Sequence, residues 1–468
     1  MRHRRWIFRA HAVIAAVLPI RVAAQTIDSL TPRVDAIMGR YTADAPGCAT
    51  GVYQNGRIIF AKGYGQANLE YRTPITSATP FIVGSVSKQF TAAAIALLVE
   101  DGRISLSDGV RKYVPELRDY GKPITVGQLV HHTSGLRDFW TLVSAAAMRN
   151  DDGYTANDIL QLASRQRNLN FDPGAEYLYS NTGYVVLGII VQRVTGKSLR
   201  DFSAERIFGP LGMTSSHYHD DHTMPVPGRA SAYSPLSAGG WRINVWNNDI
   251  VGQGGVMTTV EDLAKWDENF YTGRVGGARF LARQLERGTL NDGTTLAYAF
   301  GLQIGEYRGL PMVEHTGSSG GYRAVITRFP STHTSIVALC NVSTAETATL
   351  SHRVADAVLG ARFTKPVPPS PVRAAGATQA ATAVVPSDLG RFAGRYYSEE
   401  LDATYEVTPA ARTLIVRRPR GPADTLQAAD PTTFRGGGMT LRFPGAGSPA
   451  PSFMAEYGRV RGIVFVRR

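Results

Sequence analysis

A stretch rich in proline and alanine, residues 364–386 (TKPVPPSPVRAAGATQAATAVVP), divides this chain into two unequal parts. The stretch has almost no large apolar side chains, so it cannot bury a core and is typical of a linker. Because the chain has 468 residues, far more than one ordinary core requires, we expect at least two folding units. We predict one unit over residues 25–363 and a second over residues 387–468.

The first 24 residues have the pattern of a secretory signal peptide. Residues 1–11 are basic and residues 12–18 are apolar, and the small residues 22–24 offer a cleavage site before Gln25. A short membrane anchor or a disordered tail is the alternative, but an apolar run this short cannot cross a bilayer, which needs about 20 residues. We therefore predict a signal peptide over residues 1–24 and an exported protein, periplasmic or secreted.

Composition and charge exclude several classes of protein. Hydrophobic residues make up 43% of the chain and charged residues 19%, which fits a globular protein and not a disordered one. The formal net charge of +12 is spread along the sequence, without the dense basic run and interleaved aromatic residues of a nucleic-acid binder. We expect no nucleic-acid partner and no transmembrane span, and the sequence leaves the oligomeric state open.

The first unit begins and ends with strand-like segments. Near its start, two alternating runs flank Asn55-Gly56, the preferred pair for a tight hairpin turn. Three more strand-like runs, MVEHTG, GYRAVITRFP and TSIVALCNV, occur within residues 312–342. Strands from both ends of the unit are therefore predicted to share one antiparallel sheet.

The segments between these strands are mostly helical in pattern. Residues 86–102 and 183–196 have the composition of buried helices, and each ends at a glycine. Thr125 and Gln128 have the spacing of a capping box before another short helix. A helical block thus interrupts the sheet, which predicts an α/β (α+β) fold with a cleft between block and sheet.

The second unit, residues 387–468, is predicted to be all-β. YEVTP, TLIVRR, MTLRF and GIVFVRR are strand-like and closely spaced, and glycine and proline separate them. This pattern favours a small β-barrel. The unit contains arginine but no lysine, and it has no constellation that indicates chemistry of its own.

Ser85 and Lys88 open the helical segment that follows Gly84. A spacing of three places both on one helix face, and a lysine whose pKa is lowered by burial can take the proton of a serine nucleophile. The spacing alone is a weak signal, because a helix cap followed by a solvated lysine has the same sequence.

Two further motifs offer polar groups that could surround this pair. Tyr179 and Asn181 precede a buried helix, where a phenol can relay a proton and a carboxamide can hold a substrate carbonyl. A core tyrosine and a turn asparagine are the alternative. A later segment, His315-Thr316-Gly317 followed by Ser318, ends a strand-like run that could line a cleft. A simple turn histidine is the alternative for His315.

The order of these motifs resembles the penicillin-binding proteins, the class C β-lactamases, and related esterases and D-amino-acid peptidases. The resemblance covers about residues 30 to 360 and includes FIVGSVSKQFTAAAIALL, LVHHTSGL, FDPGAEYLYSNTGYVVLG and VEHTGSSGGYRAVITRFP, in family order. It implies a β-lactamase/transpeptidase-like fold, an antiparallel sheet flanked by helices with an inserted helical domain. The second unit resembles the lipocalin-like barrel that follows this domain in some members.

The resemblance also implies roles for individual residues. Ser85 is the expected nucleophile, Lys88 and Tyr179 share the general acid/base work, and Asn181 contacts substrate. The strand His315–Ser318 forms the edge of the cleft, and its last residue shares the oxyanion hole with Ser85 through backbone N–H groups. The β-lactamases of this type carry lysine where this chain has His315, which lowers the expectation of efficient β-lactam hydrolysis.

The sequence thus predicts acyl transfer through an acyl-enzyme, with small esters, amides, D-residue peptides or peptidoglycan fragments as candidate substrates. A class C-type β-lactamase is one alternative, and a non-catalytic cell-wall peptide-binding protein is another. The mechanism requires no cofactor and no metal. One histidine-rich segment has side chains that could still bind a metal ion: His217, His219, His222, Asp220 and Asp221. A solvated polar turn is the favoured interpretation of this segment.

The chain has two cysteines, Cys48 and Cys340, which precludes a disulfide scaffold or a zinc-finger pattern. Cys48 precedes the first predicted strand and Cys340 ends the last one. If those strands pair antiparallel, the two cysteines lie within bridging range. A disulfide after export and two unpaired core cysteines both remain open.

Overall fold

The computed structural model describes residues 27–368, 388–445 and 447–468. The signal peptide predicted at residues 1–24 lies outside the described residues, and so does most of the predicted linker. Within the described part of the chain, no helix is both long and apolar enough to cross a membrane.

Eleven α-helices are present in the described residues, most of them between the first and last strands of the first unit. Their bounds are α1 Ile27–Met38, α2 Lys88–Glu100, α3 Val126–Val130, α4 Phe139–Ala145, α5 Ala156–Ser164, α6 Asn181–Thr195, α7 Leu199–Ser203, α8 Gly209–Leu211, α9 Val260–Thr272, α10 Gly277–Gln284 and α11 Thr347–Leu359.

The strands fall into one large sheet, three small sheets and a barrel. Their bounds are β1 Cys48–Gln54, β2 Arg57–Tyr64, β3 Gln66–Asn68, β4 Thr73–Pro74, β5 Phe81–Ile82, β6 His217–Tyr218, β7 Ala232–Pro235, β8 Trp241–Asn244, β9 Val256–Thr258, β10 Gln303–Tyr307, β11 Leu310–Ser319, β12 Tyr322–Phe329, β13 Thr334–Cys340, β14 Gly394–Ser398, β15 Ala403–Ala410, β16 Thr413–Arg417, β17 Asp424–Ala428, β18 Thr433–Gly436, β19 Met439–Arg442, β20 Ser452–Tyr457 and β21 Val460–Arg467.

The large sheet has six antiparallel strands in the order β10-β11-β12-β13-β1-β2. Asn55 and Gly56 join β1 to β2 with φ angles of 51° and 72°, the left-handed conformation that a tight hairpin turn requires. β1 also pairs with β13, so strands from the two ends of the first unit do share one sheet, as predicted. Cys48 pairs with Cys340 in this register, and the two form a disulfide.

Helices cover both faces of this sheet. Helices α1 and α11 pack on one face, where Val34, Val354 and Val52 belong to one apolar cluster. The opposite face, which includes Ala49 and Val337, belongs to the larger core that holds α2 and α9. Because β1 alternates its side chains between the two clusters, the sheet is buried on both faces.

Helix α2 runs through the centre of the first unit, and nearly all of its side chains are buried. Its packing explains why the segment is rich in alanine, since small side chains let neighbouring helices approach. Helix α6 packs beside it and ends at Gly196, whose φ of 73° closes the helix in the left-handed conformation. The capping box of Thr125 and Gln128 is formed at α3, which confirms that prediction.

Strands β14 to β21 form a closed antiparallel barrel, each strand pairing with the next and β21 closing on β14. Alternate strand side chains, among them Phe453 and Phe465, point inward and fill the barrel with aromatic rings. Phe392 before β14 and Phe443 after β19 are buried against them. The all-β barrel predicted for the second unit is therefore confirmed.

Candidate active site

The predicted nucleophile, Ser85, lies in a tight 3₁₀ turn that leads directly into α2. Gly84 has a φ of 51°, and a Cβ on it would come within 2.7 Å of the backbone nitrogen of Ser318. A Cβ on Gly317 would come within 1.9 Å of the carbonyl oxygen of Val83. Glycine at both positions lets the backbone of this turn lie directly against β11.

Lys88 is the first residue of α2 and is fully buried. Its Nζ lies 3.2 Å from Ser85 Oγ, 2.8 Å from Asn181 Oδ1 and 2.6 Å from the carbonyl oxygen of Gln253. An uncharged amine has two N–H donors and one lone pair. The two acceptor oxygens can take both N–H groups, which leaves the lone pair for the hydroxyl of Ser85.

The surroundings of Lys88 favour the uncharged amine. Burial lowers the pKa of Lys88 well below its usual value, because the protein replaces the water that would solvate a cation. The carboxylate of Asp138 raises this pKa, and the guanidinium of Arg459 lowers it. A lysine in this environment can accept a proton at a lower pH than an ordinary lysine can.

Tyr179 lies on the loop before α6, and its hydroxyl forms a hydrogen bond with Ser85. Lys88 Nζ lies 4.7 Å from the centroid of its ring. Burial raises the pKa of Tyr179, while the hydrogen bond to Ser85 and the charge of Arg459 oppose that rise. The phenol therefore stays protonated near neutral pH, as a group that relays a proton must.

Asn181 opens α6, and Asp138 orients its amide. The backbone N–H and the side-chain Nδ2 of Asn181 each donate to Asp138 Oδ2 at 2.8 Å. Asn181 Oδ1 then points to Lys88. Asp138 is not among the residues predicted from the sequence. Its one local signal is that it caps α4 by accepting from the N–H of Thr141.

His315 lies on β11 with both ring nitrogens engaged inside the protein. Nε2 is 3.0 Å from the hydroxyl of Tyr298, and Nδ1 is 2.7 Å from the carbonyl oxygen of Thr316. Burial, with a contribution from the charge of Lys88, lowers the pKa of His315 to about 4. The ring is neutral at pH 7 and brings no cation to the cleft. Because Nδ1 donates to the carbonyl oxygen of Thr316, Nε2 has only a lone pair, which accepts from Tyr298 and offers no hydrogen bond to a substrate carboxylate.

The predicted residues come together at one cleft of about 810 Å³. Those that line it are Ser85, Tyr179, Asn181, His315, Thr316, Gly317 and Ser318. A second cavity of about 480 Å³ shares Trp140 and Ser318 with this cleft. Ile243, Val245 and Trp246 line the second cavity, so an apolar part of a substrate can be accommodated there.

The barrel contributes one side chain to the cleft, Arg459 in the turn between β20 and β21. Its Nη2 lies 3.1 Å from Asp138 Oδ1, and its Cζ lies 5.5 Å from the centroid of the Tyr179 ring. Arg459 is not among the residues predicted from the sequence. Nothing near position 459 indicates the contact, because the contact depends on how the barrel docks.

The histidine-rich segment lies apart from this cleft, and its side chains have partners in the protein, such as Arg200 for Asp220 and Asp249 for His222. His217 starts the short strand β6 and lies 3.3 Å from His219, with Nε2 facing Nδ1. Asp221, His222 and Asp249 bring donor atoms within 4.8 Å of one another. None of these residues lines the cavity that contains Ser85.

Comparison with protein families finds a match to the β-lactamase family over residues 34–361. A D-aminopeptidase of Cereibacter sphaeroides is 27% identical over 422 residues, which is 90% of this chain and 76% of that protein. A D-aminopeptidase of Gluconobacter oxydans is 27% identical over 443 residues, which is 94% of this chain and 80% of that protein.

Solved structures show the same fold. The octameric penicillin-binding protein homologue from Pyrococcus abyssi aligns with a TM-score of 0.63 and 22% identity, over 94% of this chain and 100% of that one. The D-amino acid amidase from Ochrobactrum anthropi SV3, complexed with L-phenylalanine amide, aligns with a TM-score of 0.61 and 24% identity, over 71% of this chain and 99% of that one.

Proposed function

The chain belongs to the β-lactamase family of serine hydrolases, and we propose that it cleaves amides, D-residue peptides and small esters through an acyl-enzyme on Ser85. The observation that carries the proposal is the position of Lys88, a buried lysine with a lowered pKa whose amine lies 3.2 Å from Ser85 Oγ. A lysine in that state can activate a serine hydroxyl at neutral pH.

Acylation begins when Ser85 Oγ attacks the carbonyl carbon and Lys88 takes the hydroxyl proton. The oxyanion that forms is stabilised by the backbone N–H groups of Ser85 and Ser318. The carbon–nitrogen or carbon–oxygen bond to the leaving group then breaks, and Tyr179 relays the proton to the departing atom. In the second stage, water attacks the acyl-enzyme and gives up a proton to the same groups. The bond between Ser85 Oγ and the acyl carbon then breaks, the proton returns to Ser85 Oγ, and the acid is released.

The choice of substrate class is supported by the named relatives and by the cavities. The relatives in Cereibacter and Gluconobacter are D-aminopeptidases, and one structural neighbour is a D-amino acid amidase. The lining of the cavity beside Ser318 includes two aromatic side chains, Trp140 and Trp246, among polar residues, and these rings offer a contact surface for a bulky apolar side chain of a substrate. We therefore propose D-amino acid amides and short D-residue peptides as the preferred class, with peptidoglycan fragments among them.

The test uses the protein from Gln25 onward beside its Ser85→Ala variant. Hydrolysis of a p-nitrophenyl ester should be lost in the variant, and intact mass spectrometry should find an acyl adduct on the unmodified protein only. A panel of D- and L-phenylalanine amides then measures the stereochemical preference. Equal turnover by both proteins, or none by either, would contradict the proposal and favour a peptide-binding protein.

The same panel separates the proposal from a class C-type β-lactamase. The neutral state of His315 counts against that activity, because a permanent positive charge for the β-lactam carboxylate is lacking at this position. Steady hydrolysis of a chromogenic cephalosporin at a rate comparable to that of the esters would favour the β-lactamase instead.

We also propose that the protein is exported. The signal-like pattern of residues 1–24 supports this, and so does the disulfide between Cys48 and Cys340, which suits an oxidising compartment. Expression in a bacterial host, followed by fractionation and N-terminal sequencing, should find a chain that starts at Gln25 outside the cytoplasm. An unprocessed chain in the cytoplasm would contradict export.

A further inference from the structure

The backbone on either side of Arg459 is fixed to the first unit. Asn170 Nδ2 donates to the carbonyl oxygen of Arg459 at 3.0 Å, and the N–H of Arg461 donates to Asn170 Oδ1 at 2.8 Å. Arg137 donates through Nε to the carbonyl oxygen of Arg461 and through Nη2 to that of Gly462, both at 3.1 Å. The turn that carries Arg459 is therefore held in register with the cleft by four hydrogen bonds.

The anchor of this turn is itself buried. The side chain of Arg137 is 0% exposed and that of Glu400, its barrel partner, 3%, and their Nη1 and Oε1 atoms lie 2.6 Å apart. Gln166 Oε1 accepts a further hydrogen bond from Arg137 Nη1 at 3.0 Å. A buried ion pair with this geometry leaves the barrel little freedom to shift relative to the first unit.

The side chain of Arg459 does more than connect the two units, because its charge lies at the cleft. It pairs with Asp138, which is fully buried, yet its own side chain is 35% exposed and lines the cleft. One oxygen of Asp138 holds the amide of Asn181, and the other faces Arg459. Arg459, Asp138, Asn181 and Lys88 thus form a continuous polar chain that ends at the nucleophile.

We propose that Arg459 is a positioning residue of the active site, which balances the charge of Asp138 and so holds Asn181 and the Lys88 amine in their working arrangement. This inference rests on the proposed roles of Ser85 and Lys88. It assigns part of the active site to the barrel, a unit that has no reacting group of its own.

The electrostatic consequence follows from the groups that surround Lys88. Two rings lie near Lys88 Nζ, those of Tyr179 and Tyr184. Two charged groups act on Lys88, Asp138 and Arg459, and two titratable rings, His132 and His315, lie close enough for Lys88 to lower the pKa of each. Burial keeps both histidines neutral. Asp138 and Arg459 are therefore the two opposed charges, and removal of Arg459 leaves the carboxylate to raise the pKa of Lys88 unopposed.

The experiment measures kcat/KM for a p-nitrophenyl ester against pH in the full chain. In Arg459→Gln and Arg459→Met, the acidic limb of the kcat/KM profile should move to higher pH by about 0.5–1 unit. The reason is that Lys88 is protonated in a larger fraction of the molecules at a given pH. Arg459→Lys keeps the charge and should restore the original limb. Arg461→Gln is the matched control, since Arg461 lies two residues further along the chain, at the start of β21, and its side chain pairs with Glu176 at the surface.

Each outcome decides between the alternatives. The proposal would be overturned if the acidic limb of the pH profile in both Arg459→Gln and Arg459→Met coincided with that of the unmodified protein. It would also be overturned if Arg459→Lys displaced the limb as far as the two neutral variants do. Thermal unfolding midpoints are measured beside the profiles, and Arg459→Met preserves packing over Tyr179 if the glutamine variant fails to fold. Failure of the proposed function would appear separately, as turnover that survives in Ser85→Ala.

Discussion

The first unit buries titratable side chains in its interior, whereas the barrel fills its interior with aromatic rings. Lys88 and Asp138 are fully buried beside the cleft, with hydrogen-bond partners for their polar atoms. In the barrel, rings such as Phe453 and Phe465 occupy the corresponding space. The reactive groups therefore belong to one unit, while the other is a rigid body that acts through its surface.

A domain without reacting groups of its own can still supply a side chain to a cleft in its neighbour, as the barrel does with Arg459. The barrel meets the first unit through a loop that carries Glu400 and a turn that carries Arg459. A closed barrel presents its turns in fixed positions, because every strand is paired on both sides. A single turn can therefore deliver a charge to a site that another core has built.

The largest expected effect tests where the reactive groups are. Ser85→Ala should lower kcat/KM for a p-nitrophenyl ester by about 10³-fold or more, because the nucleophilic oxygen is removed. Ser87→Ala is the control, since the Ser87 hydroxyl accepts from the N–H of Val256 at 2.9 Å and lies away from the cleft. An acyl adduct that persists in Ser85→Ala would place the nucleophile elsewhere.

A second substitution tests whether Lys88 acts as a base or only supplies a positive charge. Lys88→Arg supplies a cation that cannot release its proton near neutral pH and so cannot act as a base, and kcat/KM should fall by about 10²–10⁴-fold. Lys265→Arg is the control, because Lys265 pairs with Asp262 at a partly exposed position. Full activity of Lys88→Arg in the ester assay would end the assignment of Lys88 as the base.

A third change tests how firmly the barrel is docked. Glu400→Ala leaves the buried cation of Arg137 without its partner and should lower the free energy of unfolding by about 3–5 kcal/mol. Its neighbour Glu399 pairs with Arg167 at the surface, so Glu399→Ala should cost less than about 1 kcal/mol. Denaturant titration measures both, and equal costs would mean that the barrel is loosely held.

The smallest expected effect concerns pH and stability. His315 has a pKa of about 4 in the folded protein and 6.5 as its ordinary value, so the unfolded chain binds a proton first as the pH falls. The contribution of the neutral, buried His315 ring to the free energy of unfolding is complete above pH 6.5. It is lost as the pH falls from about 6.5 to 4. The thermal midpoint should decline over this range, and less steeply in His315→Asn. An NMR titration of the His315 ring near pH 6.5 would contradict this.

Local patterns predicted most of the first unit and part of the site. The pair Asn55-Gly56 indicated a hairpin because few residue pairs readily adopt a positive φ angle at both positions. Ser85 and Lys88 could be assigned to one face because a helix fixes the direction of side chains three residues apart. These features depend on short stretches of backbone, which the sequence specifies directly.

Other features of the site could not be predicted, because they depend on contacts across the fold. The partner of His315 is Tyr298, and no local pattern shows that both ring nitrogens of His315 are engaged. The role of Asp138 depends on its approach to Asn181, 43 positions later in the chain. The resemblance to known proteins could indicate neither Arg459 nor its ion pair.

By itself, the sequence determined the two units, the elements of each, and the residues that could carry acyl transfer. The tertiary structure decided which of those residues are uncharged and which charges face them. A pKa depends on burial and on neighbours within a few ångströms, and those neighbours come from distant parts of the chain. Lys88 is a candidate base because the fold excludes water from it, and Arg459 reaches the same cleft because a second core docks beside the first.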